Sequence, residues 1–434
     1  MKKISIKKGH NLKIEGVPKK KIIYLDDSNS IFFHPSRINN IKTKLLVKQG
    51  DSVKTGTPLF FDKKNDKVLY VSSCSGTVKN IVLGPRRIVE CIEIENDHKK
   101  ECLELNNNIT KDNFLKSGLW SYIRQKPFSK TPHYDSRPKS IFISAMPTEP
   151  FALDNVYLFD KYSFLQKGID CLKQIFDCDI NICVSNNTFS YLNGVNFYQF
   201  NNLHPAGNVG IQIHHLEPIK NALDTRWYLS MQDLNRIGDF FTNSIYPNYK
   251  YFSVGGNGLK NQSIYKTLIG TPILEFEKFE PVDSLRVISG DVLGGSEVSS
   301  TGSLNYHDEV LSVIKTDDKK EFLGWLSPGT KKYSLSNTFL SKLSSNANSY
   351  LTSKKNGSIR SIIPMGGWDR VLPMDILPEF LIKNILANDI EMMEKLGIYE
   401  CSPEDFALCA FVCQSKIEIS SIIKDGLDLM EANI

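Results

Sequence analysis

Between Ser140 and Gly256 short apolar runs alternate with longer amphipathic stretches, and this rhythm restricts the fold more than any other feature of the chain. The runs "SIFISAM", "INICVS", "VNFYQF", "RWYLSM" and "KYFSVGG" have strand length. The segments "KYSFLQKGIDCLKQIF" and "QDLNRIGDFFTN" between them read as helices. Apolar strands joined through helices must lie in an open, largely parallel sheet with both faces covered, because neither face can tolerate water. The spacing therefore predicts an α/β domain over residues 103–256.

A chain of 434 residues exceeds one ordinary core, so further domains are expected on either side. Leu45 to Ile94 reads as short alternating strands, with turns at Gly50-Asp51, Gly56 and Ser75-Gly76, which makes 1–102 a small all-β unit. Residues 257–330 return to short runs, "TPILEF", "LRVISGDVLGG", "HDEVLSVIK" and "EFLGWLS", and predict a compact β-rich module. The remainder, 331–434, is helical: "LPEFLIKNILANDIEMMEKLGI" repeats apolar residues at three and four, and Gly397 marks its stop. Next, Ser402-Pro403-Glu404-Asp405 has the cap, the first-turn proline and the early acids of a helix start.

With 41% hydrophobic and 23% charged residues the composition is that of a folded globular protein. No stretch approaches the roughly 18 apolar residues of a membrane span. The basic start, "MKKISIKKGHNLKIEGVPKKK", leads into charges and not into an apolar segment, so it is not expected to be a secretory signal. Nine scattered cysteines, an odd number, argue for reduced thiols and a cytoplasmic setting. The net charge of +5 is concentrated in the lysines of the first 25 residues, as a solvated face or one set against an acidic partner or anionic membrane. No nucleic-acid-binding signature accompanies it.

Three of the nine thiols, Cys401, Cys409 and Cys413, fall within "CSPEDFALCAFVC". A zinc site or a cubane cluster wants four ligands, commonly from tight C-x-x-C loops. The spacing here is C-x7-C-x3-C, no fourth cysteine is near, and no histidine follows His307. With Phe406, Leu408, Phe411 and Val412 as neighbours, these cysteines are expected in a core as small apolar side chains.

Nucleotide chemistry finds little support. A dinucleotide site needs a glycine loop after the first strand, and "SIFISAM" is followed by "PTEPFALD". "SVGGNGLKNQ" reads as a turn. "HPAGNVGIQIHHLEP" holds His204, His214 and His215 without a carboxylate at ligand spacing, so turn and packing roles are expected. No G-x-S-x-G, H-E-x-x-H or Walker segment occurs.

The segments "SGLWSYIRQKPFSKTP", "HPAGNVGIQIHHLEP", "VISGDVLGG", "EFLGWLSPG", "IPMGGWDRVLPMDILP" and "SPEDFALCAFVC" resemble, in order, those of the A subunit of the sodium-translocating NADH:quinone oxidoreductase. The resemblance starts at "IKKGHNLKIEG" and covers essentially the whole chain. It implies a peripheral subunit without transmembrane segments on the cytoplasmic face of a bacterial inner membrane, docked chiefly on the integral membrane B subunit. The complex would oxidise NADH, reduce ubiquinone and export Na+, with flavins and iron-sulfur centres in other subunits. It implies shared ancestry with the complex I flavoprotein and with the ferredoxin:NAD complexes. The fold it implies is α/β multidomain: a biotinyl-lipoyl-like β unit, a Rossmann-like domain, a β-grasp module of the soluble-ligand-binding type, and a C-terminal helical bundle.

Where the related flavoprotein cradles its flavin phosphate in a glycine-rich loop after Ser-Gly-Leu, this chain carries Trp120, Tyr122, Arg124 and Phe128 after Ser117-Gly118-Leu119. No catalytic, cofactor-binding or metal-binding residue is therefore expected. Trp120, Arg124, Phe128, His204 and His214 are the candidates for contact with quinone or with partner subunits. Two other readings are a flavin- or NADH-binding dehydrogenase, and a carrier domain modified at Lys63 or Lys64, near the tip of a hairpin in the β unit.

Overall fold

The computed structural model describes residues 1–277, 284–300, 302–316, 323–330, 332–333, 339–343, 353–355 and 357–433. The apolar runs beyond Ser140 form the expected sheet. Its order is Lys2–Ile4, Asn196–Phe200, Asp179–Val184, Ser140–Ser144, Arg226–Ser230 and Arg124–Lys126. The first five strands are parallel to their neighbours, and Arg124–Lys126 closes one edge antiparallel to Arg226–Ser230.

Alternation along these strands decides what each face meets. Ile141, Ile143, Ile182, Trp227 and Leu229 point into one core with the helices Leu165–Phe176 and Met231–Asn243. The second helix starts where Ser230 accepts a hydrogen bond from the Asp233 N–H at 3.1 Å. Phe142, Cys183, Phe200 and Tyr228 point the other way, into a core shared with the helix Val209–Leu216 and the C-terminal helices.

The strand Tyr249–Gly255 belongs elsewhere. It pairs antiparallel with Ser263–Leu268 and parallel with Val310–Lys315, inside a second six-stranded sheet that also holds Ser296–Glu297, Leu285–Ser289 and Ile22–Tyr24. "TPILEF", expected as a strand, makes a helical turn over Ile273–Phe276 instead. Ile273 and Phe276, three apart, are both buried, which a strand of period two would not allow. Of "EFLGWLS", Glu321 and Phe322 lie outside the described residues, and Gly324–Leu326 form a 3-10 turn.

The N-terminal β unit has two small sheets. One is Ser30–Phe33, Val89–Asn96, Gly76–Leu83 and Ser52–Val53, and the other is Thr43–Leu45, Pro58–Asp62 and Asn65–Val71. Lys63 and Lys64 occupy the turn between the last two strands, where Asp62 accepts from the backbone N–H groups of Lys42 and Lys64 at 2.9 and 3.2 Å. The first 25 residues lend a strand to each of the two larger sheets.

In the C-terminal region the periodic stretch after Leu377 divides into the helices Pro378–Leu386 and Ile390–Lys395. The break falls at Asn388 (φ 55°), and Asp389 caps the second helix by accepting from the Met392 N–H at 3.0 Å. The helices Ala407–Val412 and Ile419–Ala432 follow. Cys401, Cys409 and Cys413 are buried among them, and the first two thiols approach the backbone carbonyls of Gly397 and Trp368. No helix among the described residues is long and apolar enough to cross a membrane.

Candidate functional site

The segment after Ser117-Gly118-Leu119 makes a 3-10 turn, Leu119–Tyr122, and then the edge strand Arg124–Lys126. Gly118 has φ +76°, and a Cβ there would lie 2.7 Å from a Val71 methyl carbon, so this glycine lets the turn pack against the N-terminal β unit. Arg124 and Lys126, two apart, share the sheet face turned toward the C-terminal helices. Arg124 is registered opposite Tyr228, and its guanidinium stacks 4.6 Å from the centre of that ring.

Lys126 is almost fully buried. Its ammonium donates to Ser402 Oγ at 2.7 Å and to Asp405 Oδ2 at 2.8 Å, while Ser402 donates to the same carboxylate oxygen at 2.5 Å. The Ser402 hydroxyl thus serves this charge pair, and no side-chain cap bond joins it to the 3-10 turn Pro403–Phe406. The pair lies against the first turn of the helix Val209–Leu216. A Cβ on Gly210 would stand 1.9 Å from Asp405 Oδ2 and 2.3 Å from Lys126 Nζ, so a bare Cα is required.

His204 sits just ahead of that helix, buried. Thr148 Oγ1 accepts from the Gly207 N–H at 2.9 Å and shares a hydrogen bond with His204 Nδ1 at 3.1 Å. Burial pushes this histidine down to about 4, against a smaller upward pull from the Asp405 charge. His214 lies in the last turn of the same helix. It accepts at Nε2 from the Asp375 N–H at 2.9 Å and donates from Nδ1 to Glu400 at 2.6 Å. It ties the sheet domain to the C-terminal helices and does not meet His204.

Phe128 packs edge-on to Tyr399 in the core on this face. Trp120 lies on the opposite side of the sheet, with no exposure, among Phe114, Phe176 and Trp227, and its indole N–H donates to the Pro132 carbonyl at 3.0 Å. Of the five candidates, then, Arg124, Phe128 and His204 border the face that carries the buried ion pair. His214, in the last turn of the same helix, is held by Glu400 and Asp375, and Trp120 packs on the opposite side of the sheet.

The sequence as a whole settles the relationship. The chain is 33% identical over 445 residues to the A subunit of the Na(+)-translocating NADH-quinone reductase of Haemophilus influenzae strain PittGG, with 99% of each chain covered. It is 32% identical over 441 residues to the protein of that name from Shewanella frigidimarina, and 34% over 448 to that from Yersinia pseudotuberculosis, again over 99% of each chain. The chain belongs to the NqrA family. Residues 4–97 match the model of the NqrA N-terminal barrel-sandwich hybrid domain, and 105–245 that of the NqrA second alpha/beta domain. Lys126 and Asp405 therefore join the second of these domains to chain beyond both matches.

Other buried groups are displaced from their ordinary titration ranges. Burial, reinforced by Asp291, pushes Glu149 up to about 7, and burial pushes Asp291 itself up to about 6. His307 is driven well below its ordinary value by burial and then by Arg124 and Lys250. Reading the sequence missed Asp291 and the pair Lys126 and Asp405, which folding alone brings together. Among the described residues no group of three or more histidine, cysteine or acidic side chains is placed to hold a metal ion.

These groups give this member of the NqrA family a signed pH dependence. Burial lowers His10, His34, His204, His215 and His307, the second and third to about 4. It raises Glu149, Asp291 and Asp428. As pH falls from about 6.5 toward 4, the unfolded chain takes protons at the histidines that the folded chain refuses, so stability is lost. The three carboxyls work in the opposite sense, keeping protons when folded, and five sites outweigh three. Urea unfolding should show stability falling on acidification, by about 1.4 kcal/mol per pH unit for each net proton. A flat or rising profile would contradict this balance.

Proposed function

We propose that this chain is a cofactor-free peripheral subunit of a respiratory complex that oxidises NADH, reduces ubiquinone to ubiquinol and moves Na+ out of the cytoplasm. It docks on the cytoplasmic face of the membrane, chiefly against the integral membrane B subunit, and helps shape the quinone site. The reading rests on the end-to-end match, 99% of both chains, to proteins named for the A subunit of that reductase.

Local chemistry supports a chain that carries no redox group itself. A flavin phosphate needs bare backbone and a free cation. The segment that would supply them is an edge strand bearing Arg124 and Lys126, and the lysine is already neutralised by Asp405. The cysteines of the C-terminal helices are spent on packing. Flavins and iron-sulfur centres are accordingly assigned to the other subunits. Arg124, Phe128 and His204 are the contacts proposed for quinone or a partner.

In this reading the units are a biotinyl-lipoyl-like domain over 1–102, a Rossmann-like domain over 103–256, a β-grasp module over 257–330 and a helical bundle over 331–434. The strands Lys2–Ile4, Ile22–Tyr24 and Tyr249–Gly255 cross between them. Crosslinking of the tagged chain in native membranes, followed by mass spectrometry, tests the assignment. Crosslinks should lead mainly to the B subunit, from the lysine-rich N-terminal segment among others. Recovery of the chain free of every other component of the complex would overturn it.

A further inference from the structure

The Lys126 pocket has the parts of an anion site. A buried ammonium and the Ser402 hydroxyl converge on one point, against Gly210 in the first turn of the helix Val209–Leu216. No backbone N–H of that turn bonds the carboxylate; the helix contributes the field of its N-terminal end, which favours negative charge. Gly210 opens the approach, because a Cβ at that position would collide with the anion.

What fills the point comes from 279 residues along the chain, the carboxylate of Asp405. Its fit is incomplete. Oδ2 takes both hydrogen bonds, while Oδ1 is buried without a partner, and so is His204 Nε2. A carboxylate oxygen and an imidazole nitrogen, both buried and both without a partner, show that the fixed side chain leaves polar atoms here unsatisfied.

We infer that this is an oxyanion site of the α/β sheet, occupied by the chain's own Asp405, and that it accepts a free small carboxylate once that side chain is removed. The C-terminal turn Pro403–Phe406 is thereby held to the sheet as a bound ligand is, through a charged group in a preformed cradle. Lys126 and Ser402 are the recognition groups.

The full-length Asp405→Ala variant tests this, with sodium formate as the probe and sodium chloride at equal ionic strength as the reference. A specific site gives saturable stabilisation that chloride does not reproduce. The expected rise of the unfolding midpoint is about 2 °C at a tenfold excess of formate over its Kd. Titration calorimetry should give about one formate per chain. The wild type and the Asp405→Ala/Lys126→Met double variant should respond to formate as to chloride. If Asp405→Ala does not fold in chloride, its soluble yield on refolding should be restored by formate. The inference is overturned if formate acts no differently from chloride on the variant, or equally on the variant and the wild type, or fails to restore refolding.

Discussion

A full-length Lys126→Met protein is expected to lose about 3–5 kcal/mol of unfolding free energy, because it leaves the Asp405 carboxylate buried without its cation. The methionine is close to lysine in volume, so lost packing contributes little. Desolvation is the larger effect: with its counter-charge gone, Asp405 keeps only the Ser402 hydroxyl. A second change, Asp405→Leu, removes the stranded charge and should recover much of the loss, since an apolar pair of similar volume is often as stable as a buried ion pair. Urea unfolding of both single variants and the double variant forms a mutant cycle. If the losses simply add, the two groups do not act on one another and the account of this site fails.

Trp120→Ala should cost about as much, roughly 3–5 kcal/mol, by opening a cavity among Phe114, Phe176 and Trp227. The indole N–H also holds the Pro132 carbonyl, which would be left to find another donor. Ligand binding separates this residue from Arg124. Under conditions where both variants remain folded, calorimetry with a short-chain ubiquinone should find Trp120→Ala unchanged from the wild type. Arg124→Ala removes a half-buried cation on the opposite sheet face, stacked on Tyr228 and within electrostatic reach of His307. Weakened quinone binding in Trp120→Ala at full foldedness would contradict its placement in the core.

The sequence disclosed what local pattern controls. The runs at Ser140–Ser144, Asp179–Val184 and Arg226–Ser230 carry isoleucine, valine, leucine and tryptophan on one face and Phe142, Cys183 and Tyr228 among polar residues on the other, and their alternation with helices points to a covered sheet. The run at Tyr249–Gly255 was equally visible as a strand but not its sheet, because a period of two says nothing about the partner. The helical turn Ile273–Phe276 is too short for its spacing to outweigh strand propensity. The break at Asn388-Asp389 was hidden by apolar spacing that continues across it, although Asn, which tolerates a positive φ, followed by Asp, a favoured N-cap, is a readable signal.

At the candidate site the same limit appears more sharply. Ser402-Pro403-Glu404-Asp405 was legible as a helix start, and the acids as partners of the helix dipole. Asp405 instead neutralises a lysine 279 residues earlier in the chain, and Pro403–Phe406 form a 3-10 turn ahead of the helix Ala407–Val412. Side chains brought together only by tertiary packing leave no trace in local spacing. The cysteine spacing was informative for the opposite reason: ligand geometry within a short segment is local, and there it pointed to packing.

The central claim is that this protein carries no electrons itself, and its most direct test is the optical spectrum and cofactor content of the full-length chain purified from its own cells. The account expects a colourless protein, with acid extracts holding far less than one flavin, iron or sulfide per chain. Stoichiometric flavin with its visible absorption bands, or iron and sulfide in matching amounts, would contradict it.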